Sequence, residues 1–446
     1  MKRRTRNLIL LFFLIIFIFS CPFVILYCKG YRLDFENRSL IKTGAIFIKA
    51  KPGNYKIYLD EELIKETNFL FNSTFIKKLL PGEYNIKVKR NGYFTWEKNL
   101  EVKEERVEEA RNILLFPKDP KKSLFLSDIE YFSVKENNLI IIKEYKEEKF
   151  IESINLKENK KTTLLKESSL EKELLNPEIV LDQNLGIIFV SLSEKDNFIV
   201  AENTIYSLNN LGEIKEISFN PFNQDEIILV KEDNLLKYNY KTGARKIIFE
   251  NILTYKIFND NVFCLSKEGL LYKNDFEGNI VSVLNKNPIN TEKSEYKLDI
   301  ENEKYILLKQ DEELLILLND SFESIGKSVK NTRISPDQKK LLMIDGGEIW
   351  IMFLEDIEHQ PFRKEGEKIF LMRSLNKNCQ VHWLNSNYLI TSNGKEISII
   401  EIDNRDRINS AKIGEFENAE IVWIKELEKL YIFSSNNVYL IEGLLP

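Results

Sequence analysis

The chain has 446 residues and a mass of 52.6 kDa, more than a single hydrophobic core usually holds, which predicts two or more folded units. Hydrophobic residues make up 43% and charged residues 30% of the sequence, with 29 Phe and 18 Tyr, which excludes wholesale disorder. The 64 basic and 69 acidic residues are mixed along the chain without a long basic stripe, which argues against a nucleic-acid partner.

The N-terminus predicts a membrane anchor. Residues 8–28 form an uncharged apolar run of about the length that crosses a bilayer as a helix, with Pro22 as an expected kink. Four basic residues precede the run: Lys2, Arg3, Arg4 and Arg6. So short a basic tail stays on the cytoplasmic side, so we expect a cytoplasmic N-terminus and an extracytoplasmic body.

Two other interpretations compete with the anchor. A cleaved signal peptide has a shorter apolar region that ends in small residues, whereas this one ends in Leu26-Tyr27-Cys28. A lipoprotein site at Cys21 would need small residues before it, but Ile18-Phe19-Ser20 precede it and the apolar run continues beyond it. An uncleaved anchor fits the sequence best.

Short alternating segments follow the anchor and predict a small β-domain. In one of them Tyr84, Ile86 and Val88 share a face, as in a strand buried on one side. Turn signals at Pro81-Gly82 and Asn91-Gly92 bound such segments. We expect Tyr84, Tyr93 and Trp96 to be core or turn-packing residues rather than a ligand platform.

An ordered set of turns in this region resembles the PEGA domain family, over about residues 41–102. The segments that carry the resemblance are Gly44-Ala45-Ile46, Lys51-Pro52-Gly53, Tyr58-Leu59-Asp60, Leu80-Pro81-Gly82-Glu83-Tyr84 and Asn91-Gly92-Tyr93. The family's usual Gly-x-x-Pro segment is replaced by residues 66–71. The resemblance implies a small β-sandwich on bacterial or archaeal surface proteins, serving as an accessory or binding module without catalysis.

The remainder of the chain repeats a unit of apolar strands joined by tight polar turns. Unit starts are expected near Ile129, Leu185, Ile217, Ile252, Tyr296, Val329, Cys379 and Glu420. This spacing is typical of β-propeller blades, and seven or eight blades follow. The last unit has three evident strands, so residues 123–127, ahead of the first unit, are expected to supply its fourth.

One unit carries a recognisable blade motif. Residues 334–342, with Ser335-Pro336-Asp337, followed by residues 347–351, resemble the Ser-Pro-Asp-Gly-Lys motif of TolB-like and WD40-like propellers, with Gln338 in place of the glycine. A weaker echo lies at residues 219–225. Prolines and acids in tight turns have an architectural role by default. Insertions at 166–178 and 356–370 are expected to be loops or short helices on one face.

No residue set predicts catalysis or a cofactor. The two histidines, His359 and His382, are assigned to a polar loop and to a structural position on an inner strand. Nucleophile-elbow, zincin and P-loop signatures are missing from the sequence, and no cysteine spacing suits a metal. A Cys264–Cys379 disulfide is an alternative, but two separate buried thiols are favoured. We therefore name no catalytic, cofactor-binding, metal or ligand-binding residue.

The predicted protein is all-β after its anchor. Its parts are a cytoplasmic tail and transmembrane anchor at 1–28, a PEGA-like β-sandwich at 41–117 and a propeller at 121–446. The expected function is a membrane-anchored binding or scaffold protein of the cell envelope, without enzymatic activity, that recognises an envelope protein or a cell-wall glycan. The rivals are a glycan-cleaving propeller enzyme, with paired acids at a channel mouth, and an envelope assembly subunit with an apolar docking patch.

Overall fold

The structure, a computed structural model, describes residues 3–34, 39–68, 72–135, 137–170, 172–174, 177–182, 186–202, 204–302, 304–373 and 379–445. Four features used above lie wholly or partly outside these residues: Lys2 of the basic tail, residues 69–71 of the segment that departs from the PEGA pattern, residues 171, 175 and 176 of the insertion at 166–178, and Leu185 at the expected start of the second unit.

The chain begins with helix α1 (Arg3–Cys28), which contains Pro22. Within the described residues it is the one helix long and apolar enough to cross a membrane, over Ile9–Cys28, and none of that span is buried by the rest of the protein. A hairpin of β1 (Tyr31–Asp34) and β2 (Ser39–Lys42) follows directly. The backbone N–H of Thr43 donates to the carbonyl of Gly30, which joins the hairpin base to the end of the helix.

Seven strands build a β-sandwich of two sheets. They are β3 (Gly44–Lys51), β4 (Lys56–Leu59), β5 (Glu62–Glu66), β6 (Ser73–Leu79), β7 (Gly82–Lys89), β8 (Trp96–Val102) and β9 (Val107–Leu114). The sheet orders are β6-β3-β9 and β5-β4-β7-β8, and the apolar faces of both sheets share one core. Gly44 is required at its position because a Cβ there would lie 2.4 Å from the carbonyl of Lys103.

The remaining strands form the propeller. The outer strand of the last blade comes first, β10 (Lys121–Leu126). Blade 1 comprises β11 (Ile129–Lys135), β12 (Asn138–Tyr145), β13 (Glu148–Asn155) and β14 (Lys160–Lys166), and blade 2 comprises β15 (Glu178–Leu181), β16 (Ile187–Ser193), β17 (Asp196–Ala201) and β18 (Thr204–Ser207). Blade 3 comprises β19 (Glu216–Phe219), β20 (Glu226–Lys231), β21 (Asn234–Asn239) and β22 (Arg245–Phe249), and blade 4 comprises β23 (Ile252–Phe258), β24 (Asn261–Ser266), β25 (Leu271–Asn274) and β26 (Ile280–Val283).

Blades 5 to 8 complete the ring. Blade 5 comprises β27 (Tyr296–Asn302), β28 (Tyr305–Gln310), β29 (Glu313–Leu318) and β30 (Ser321–Gly326), and blade 6 comprises β31 (Val329–Ile334), β32 (Lys340–Asp345), β33 (Glu348–Phe353) and β34 (Lys368–Arg373). Blade 7 comprises β35 (Gln380–Asn385), β36 (Tyr388–Ser392), β37 (Glu396–Glu401) and β38 (Ser410–Glu415), and blade 8 comprises β39 (Glu420–Ile424), β40 (Lys429–Ser434), β41 (Asn437–Glu442) and β10. Short 3₁₀ turns lie between strands at Glu167–Ser169, Asn209–Leu211 and Lys425–Leu427.

The described residues thus form eight four-stranded antiparallel blades, which confirms the predicted propeller. Strand β10 pairs antiparallel with β41 and closes the ring, as expected from the missing fourth strand of the last unit. The predicted unit starts agree with the first strand of each blade to within one residue, except for blade 2. That blade begins at Glu178 rather than near Leu185, because a short strand, β15, precedes the apolar run of β16.

The turns fall on two opposite faces of the ring. Because successive strands are antiparallel, the turns after the first and third strands of every blade share one face, which we call the docking face. The insertion at 356–370 follows β33 and lies on the docking face, whereas the insertion at 166–178 follows β14 and lies on the opposite face. The expectation that both insertions share one face is therefore wrong.

Candidate binding cleft between the two domains

The sandwich docks on the propeller through the edge strands of its two sheets. Strand β8 ends one sheet and β9 ends the other, so both offer backbone groups that no neighbouring strand covers. On β8, the N–H of Glu97 donates to Oδ1 of Asn409 at 3.0 Å, and the N–H of Asn99 donates to Oδ2 of Asp406 at 2.8 Å. Both acceptors lie in the turn between β37 and β38, on the docking face of blade 7.

Strand β9 is covered by propeller side chains at its beginning. The amide of Gln360 accepts from the N–H of Glu109 at 2.6 Å and donates to the carbonyl of Val107 at 2.9 Å. Arg405 donates from NH2 to the carbonyl of Glu109 at 3.0 Å. These contacts satisfy backbone groups that would otherwise be left unpaired at a buried sheet edge.

A lysine of β8 lies at the centre of the interface and inserts into the turn between β37 and β38. Lys98 is completely buried, and its Nζ lies 2.5 Å from Oε1 of Glu401. The same ammonium group donates to the carbonyls of Asp403 at 2.6 Å and Arg407 at 2.7 Å. All three N–H donors of the lysine therefore have acceptors, which a buried ammonium requires.

The partner carboxylate, that of Glu401, is equally well satisfied. Glu401 is 4% exposed and also accepts from Trp96 Nε1 at 2.9 Å and from the backbone and side-chain N–H groups of Asn409 at 3.0 and 2.8 Å. A buried ion pair with complete hydrogen bonding holds two surfaces in one register, because any other alignment would leave a charge unpaired. The buried pair therefore fixes one alignment of the sandwich on the propeller.

A second charged cluster flanks this lysine. Arg405 donates to both carboxylate oxygens of Asp403, from Nε at 3.1 Å and from NH2 at 2.6 Å. Its NH1 lies 2.5 Å from Oε1 of Glu108 of β9. Burial alone would raise the pKa of Asp403, but Arg405 and Lys98 hold that pKa below its usual value. Burial raises the pKa of Glu108 in spite of the nearby Arg405.

Apolar contacts complete the interface. The ring of Phe116 packs edge-on against Tyr388 with centroids 5.2 Å apart. The hydroxyl of Tyr388 accepts from the N–H of Leu114 at 2.9 Å, and burial raises the pKa of this tyrosine well above its usual value. Sandwich and propeller therefore meet through a packed and hydrogen-bonded contact.

Beside this contact the two domains enclose a cavity of about 650 Å³, which we call the domain cleft. Its sandwich wall is Ala110–Ile113 of β9. The propeller wall comes from blades 6 and 7, namely the turn around Asp337 and Lys340, the loop from Glu355 to Pro361, and the segment Glu401–Asp403. Among the lining side chains, those of Trp96, Ile113, Phe353 and Tyr388 are buried and supply apolar surface. Cavities of this size at domain boundaries commonly bind ligands.

Charges of both signs line the domain cleft, mostly in pairs. Lys340 Nζ lies 2.6 Å from Asp337, and Lys339 Nζ lies 3.7 Å from Glu355. Burial alone would raise the pKa of Asp337, but the contacts from Lys340 and Ser335 hold that pKa below its usual value. Lys304 lowers the pKa of Glu355, so both carboxyl groups remain ionised at neutral pH. The cleft therefore suits a neutral or mixed-charge polar ligand.

The Ser-Pro-Asp motif borders the cleft but serves the turn itself. Ser335 Oγ contacts Asp337 Oδ1 at 2.5 Å and accepts from the N–H of Lys340 at 3.0 Å. Gln338 has a φ of +59°, a left-handed conformation that glycine adopts without strain. The contacts of Ser335 support the architectural role expected for this motif. The positive φ at position 338 explains why glycine is usual there.

The structure locates the remaining residues singled out from the sequence. His359 lies in the loop after β33 and lines the domain cleft, while His382 lies on β35, where burial and the charge of Arg333 lower its pKa to about 3. Cys264 and Cys379 form no disulfide; Cys264 is buried in blade 4 as favoured, and burial raises its pKa to about 12, whereas Cys379, directly before blade 7, is only half-buried. In the described part of the chain, no group of three or more His, Cys, Asp or Glu side chains could hold a metal.

Sequence reasoning missed Lys98 and Glu401. Lys98 lies on the same face of β8 as the buried Trp96 and Leu100. The available signal was therefore the alternation of side chains along the strand, which puts a lysine at a buried position. A charged residue at an apolar position is a departure from the strand pattern that points to a buried partner. Nothing local identifies Glu401 as that partner.

No protein-family model matches the sequence, and no curated protein matches it. Solved structures with some similarity include the computationally designed Ika8 protein (9% identity, TM-score 0.44, covering 72% of this chain and 98% of that one). Others are BamB from Moraxella catarrhalis (8%, 0.40, 73% and 97%) and the β-propeller domain of Cps50 (Swd1) from Myceliophteria thermophila (10%, 0.37, 73% and 100%). By their own strand topology, the described residues form an eight-bladed propeller.

Proposed function

We propose that this protein is a membrane-tethered, extracytoplasmic binding or scaffold protein that holds a partner of the cell envelope in its domain cleft. The observation that carries this function is the cavity of about 650 Å³ between a sandwich and a propeller whose contact is fixed by the buried Lys98–Glu401 pair. A cleft with fixed walls is pre-organised, so little binding energy is spent on ordering it.

The membrane tether rests on α1 and on the basic residues that precede it. None of Ile9–Cys28 is buried by the rest of the protein in the described residues, so a bilayer is the natural environment of its apolar side chains. We assign the N-terminus to the cytoplasm because of the short basic tail. Protease added to intact cells should then cleave the body and leave the tail, whereas a protected body would contradict this orientation.

A binding role is favoured over catalysis by the charges of the cleft. A glycosidase needs one carboxylic acid with a raised pKa to protonate the leaving group. The pKa values of Asp337, Glu355, Asp356 and Asp403, all of which line the cleft, are lowered. These directions support carboxylates that pair with cations rather than a general acid.

The sandwich fits an accessory role of the PEGA type. Its two-sheet architecture and the turns at Pro81-Gly82 and Asn91-Gly92 support membership of that family. Because the sandwich follows the membrane helix and contacts blade 7, it would also set how the propeller faces the membrane. Its function would be to position the ring and to contribute one wall of the cleft.

The test is partner binding by the full chain in lipid nanodiscs. Fluorescent envelope glycans and peptides from extracytoplasmic proteins are titrated against the wild type and against Lys339→Glu, whose side chain is 48% exposed and lines the cleft. The matched control is Lys195→Glu, an exposed lysine on the face of the ring opposite the docking face. At least tenfold weaker binding for Lys339→Glu alone is expected. Equal binding by both variants would remove the cleft as the site.

A further inference from the structure

We propose that the partner enters the domain cleft as an extended polypeptide that adds a strand to the free edge of β9. This inference rests on the proposed binding function and names the chemical class of its partner. Strand β9 is the last strand of the sheet β6-β3-β9, so one edge of it has no neighbouring strand. That edge faces the propeller, as its contacts with Gln360 and Arg405 show.

The propeller covers the beginning and the end of this edge, but with side chains. Gln360 donates to Val107 and accepts from Glu109, which are the two kinds of hydrogen bond that the backbone of an adjacent strand would form. At the other end the hydroxyl of Tyr388 accepts from the N–H of Leu114. The amide side chain of Gln360 therefore acts in place of a peptide group where the cleft begins.

Between these two ends β9 forms a wall of the open cleft. Ala110–Ile113 line the cavity, and Arg111 and Asn112 lie between Ala110 and Ile113, the β9 residues in register with Ile48 and Ala50 of β3, so neither has a register partner on β3. The pairing of β9 with β3 is irregular at this point, because its register shifts between Ile48 and Ala50. Bulges of this kind often occur beside binding sites, where they end or redirect pairing.

The surface opposite the edge suits an extended peptide. Phe353 and Ile113 supply an apolar floor, while Lys339 and Asp356 are exposed at the rim. An added strand turns alternate side chains to opposite sides, so it would bury every second residue on this floor and expose the others to the charged rim.

The experiment uses the full chain in nanodiscs and a phage-displayed library of random dodecapeptides. Selected peptides are synthesised with a single backbone N-methyl group at each position in turn. Strand addition predicts at least tenfold weaker binding at the one or two alternate positions that face Ala110–Ile113, and little change at the positions between and beyond them, because only alternate N–H groups of the peptide point to β9. A uniform effect, or a spacing of three to four residues, would overturn the proposal.

A matched pair of variants tests the same backbone group from the side of the protein. Arg111→Ala retains the N–H of β9 whereas Arg111→Pro lacks that donor, so Arg111→Pro should bind selected peptides at least tenfold more weakly than Arg111→Ala does. If Arg111→Pro does not fold, the N-methyl scan on the wild type decides alone. Equal losses in both variants would mean that the side chain, not the strand edge, makes the contact.

The outcomes separate this inference from the proposed function. If envelope oligosaccharides bind the cleft and Lys339→Glu weakens them while no peptide is selected, the binding function stands and strand addition is wrong. If neither class binds, both are wrong. If selected peptides bind with the alternating pattern but Lys339→Glu has no effect, the peptides pair with a strand edge outside the domain cleft, and both proposals are wrong.

Discussion

Nζ of Lys98 lies 2.5 Å from Oε1 of Glu401, across the contact between the sandwich and the propeller. Lys98 is completely buried and Glu401 is 4% exposed, and the two residues belong to different domains. A pair of this kind contributes less to stability than to the choice of one alignment, because the cost of burying both charges offsets most of their attraction. The relative placement of the domains therefore depends on one hydrogen-bonded ion pair and its neighbours.

Removing one member of this pair should destabilise the protein strongly. Lys98→Met leaves the buried carboxylate of Glu401 without its cation, and we expect a loss of about 3–5 kcal/mol in the free energy of unfolding. Urea unfolding of the full chain in detergent micelles measures it. The double variant Lys98→Met/Glu401→Gln should recover part of the loss. Lys42→Met, which breaks an exposed pair with Glu105, is the control and should change stability by less than about 1 kcal/mol.

The turn before β32 should be stabilised by glycine. Gln338 has a φ of +59°. This left-handed conformation costs a residue with a Cβ about 1 kcal/mol, whereas glycine adopts it without that cost. We expect Gln338→Gly to raise the free energy of unfolding by a few tenths to about 1 kcal/mol, since the greater freedom of glycine in the unfolded chain offsets part of the gain. Differential scanning calorimetry of the two proteins measures the change, and a lower melting temperature for the glycine variant would contradict it.

Closure of the ring should depend on β10. Its residues pair with β41 from Lys121 to Leu126, and Phe125 packs edge-on against Tyr431 of β40. Two bodies are compared, one starting at Pro120 and one starting at Ile129, both without the sandwich. The shorter body lacks β10 and should have a lower melting temperature by circular dichroism and a greater tendency to aggregate, because β41 becomes an uncovered edge. Equal melting temperatures would show that β10 is dispensable.

Acid should destabilise the propeller partly through His382. Its pKa is lowered from 6.5 to about 3 in the folded protein, so the unfolded chain binds the proton more readily between these values. The stability contributed by the neutral imidazole is complete above about pH 6.5 and is lost as the pH falls towards 3. At pH 5 the loss is at most about 2 kcal/mol.

His382→Gln isolates this effect from the carboxylates that also titrate in acid. Urea unfolding at pH 7.5 and pH 5 should show a smaller drop in stability for His382→Gln than for the wild type. The control is His359→Gln in the cleft loop, which should retain the full drop. If all three proteins lose the same stability, His382 does not carry the effect.

The sequence by itself determined the strand repeats and the closure of the ring. Alternation within strands and turn residues such as Pro81-Gly82 act over a few neighbours, so a local pattern reports them reliably. Seven of the eight expected blade starts lie within one residue of those in the structure. The exception, blade 2, begins with the four-residue strand β15, which is too short to show a clear period.

Only the tertiary structure decided where a partner can bind. The insertions at 166–178 and 356–370 look alike in sequence, yet strand direction puts them on opposite faces, and only the second borders the domain cleft. Leu170 of the first is buried in a core cluster instead. Lys98 meets Glu401, and Gln360 meets β9, across sequence separations that no local period records. Such contacts arise when two finished domains pack together, since edge backbone groups and buried charges then need partners from whichever surface covers them.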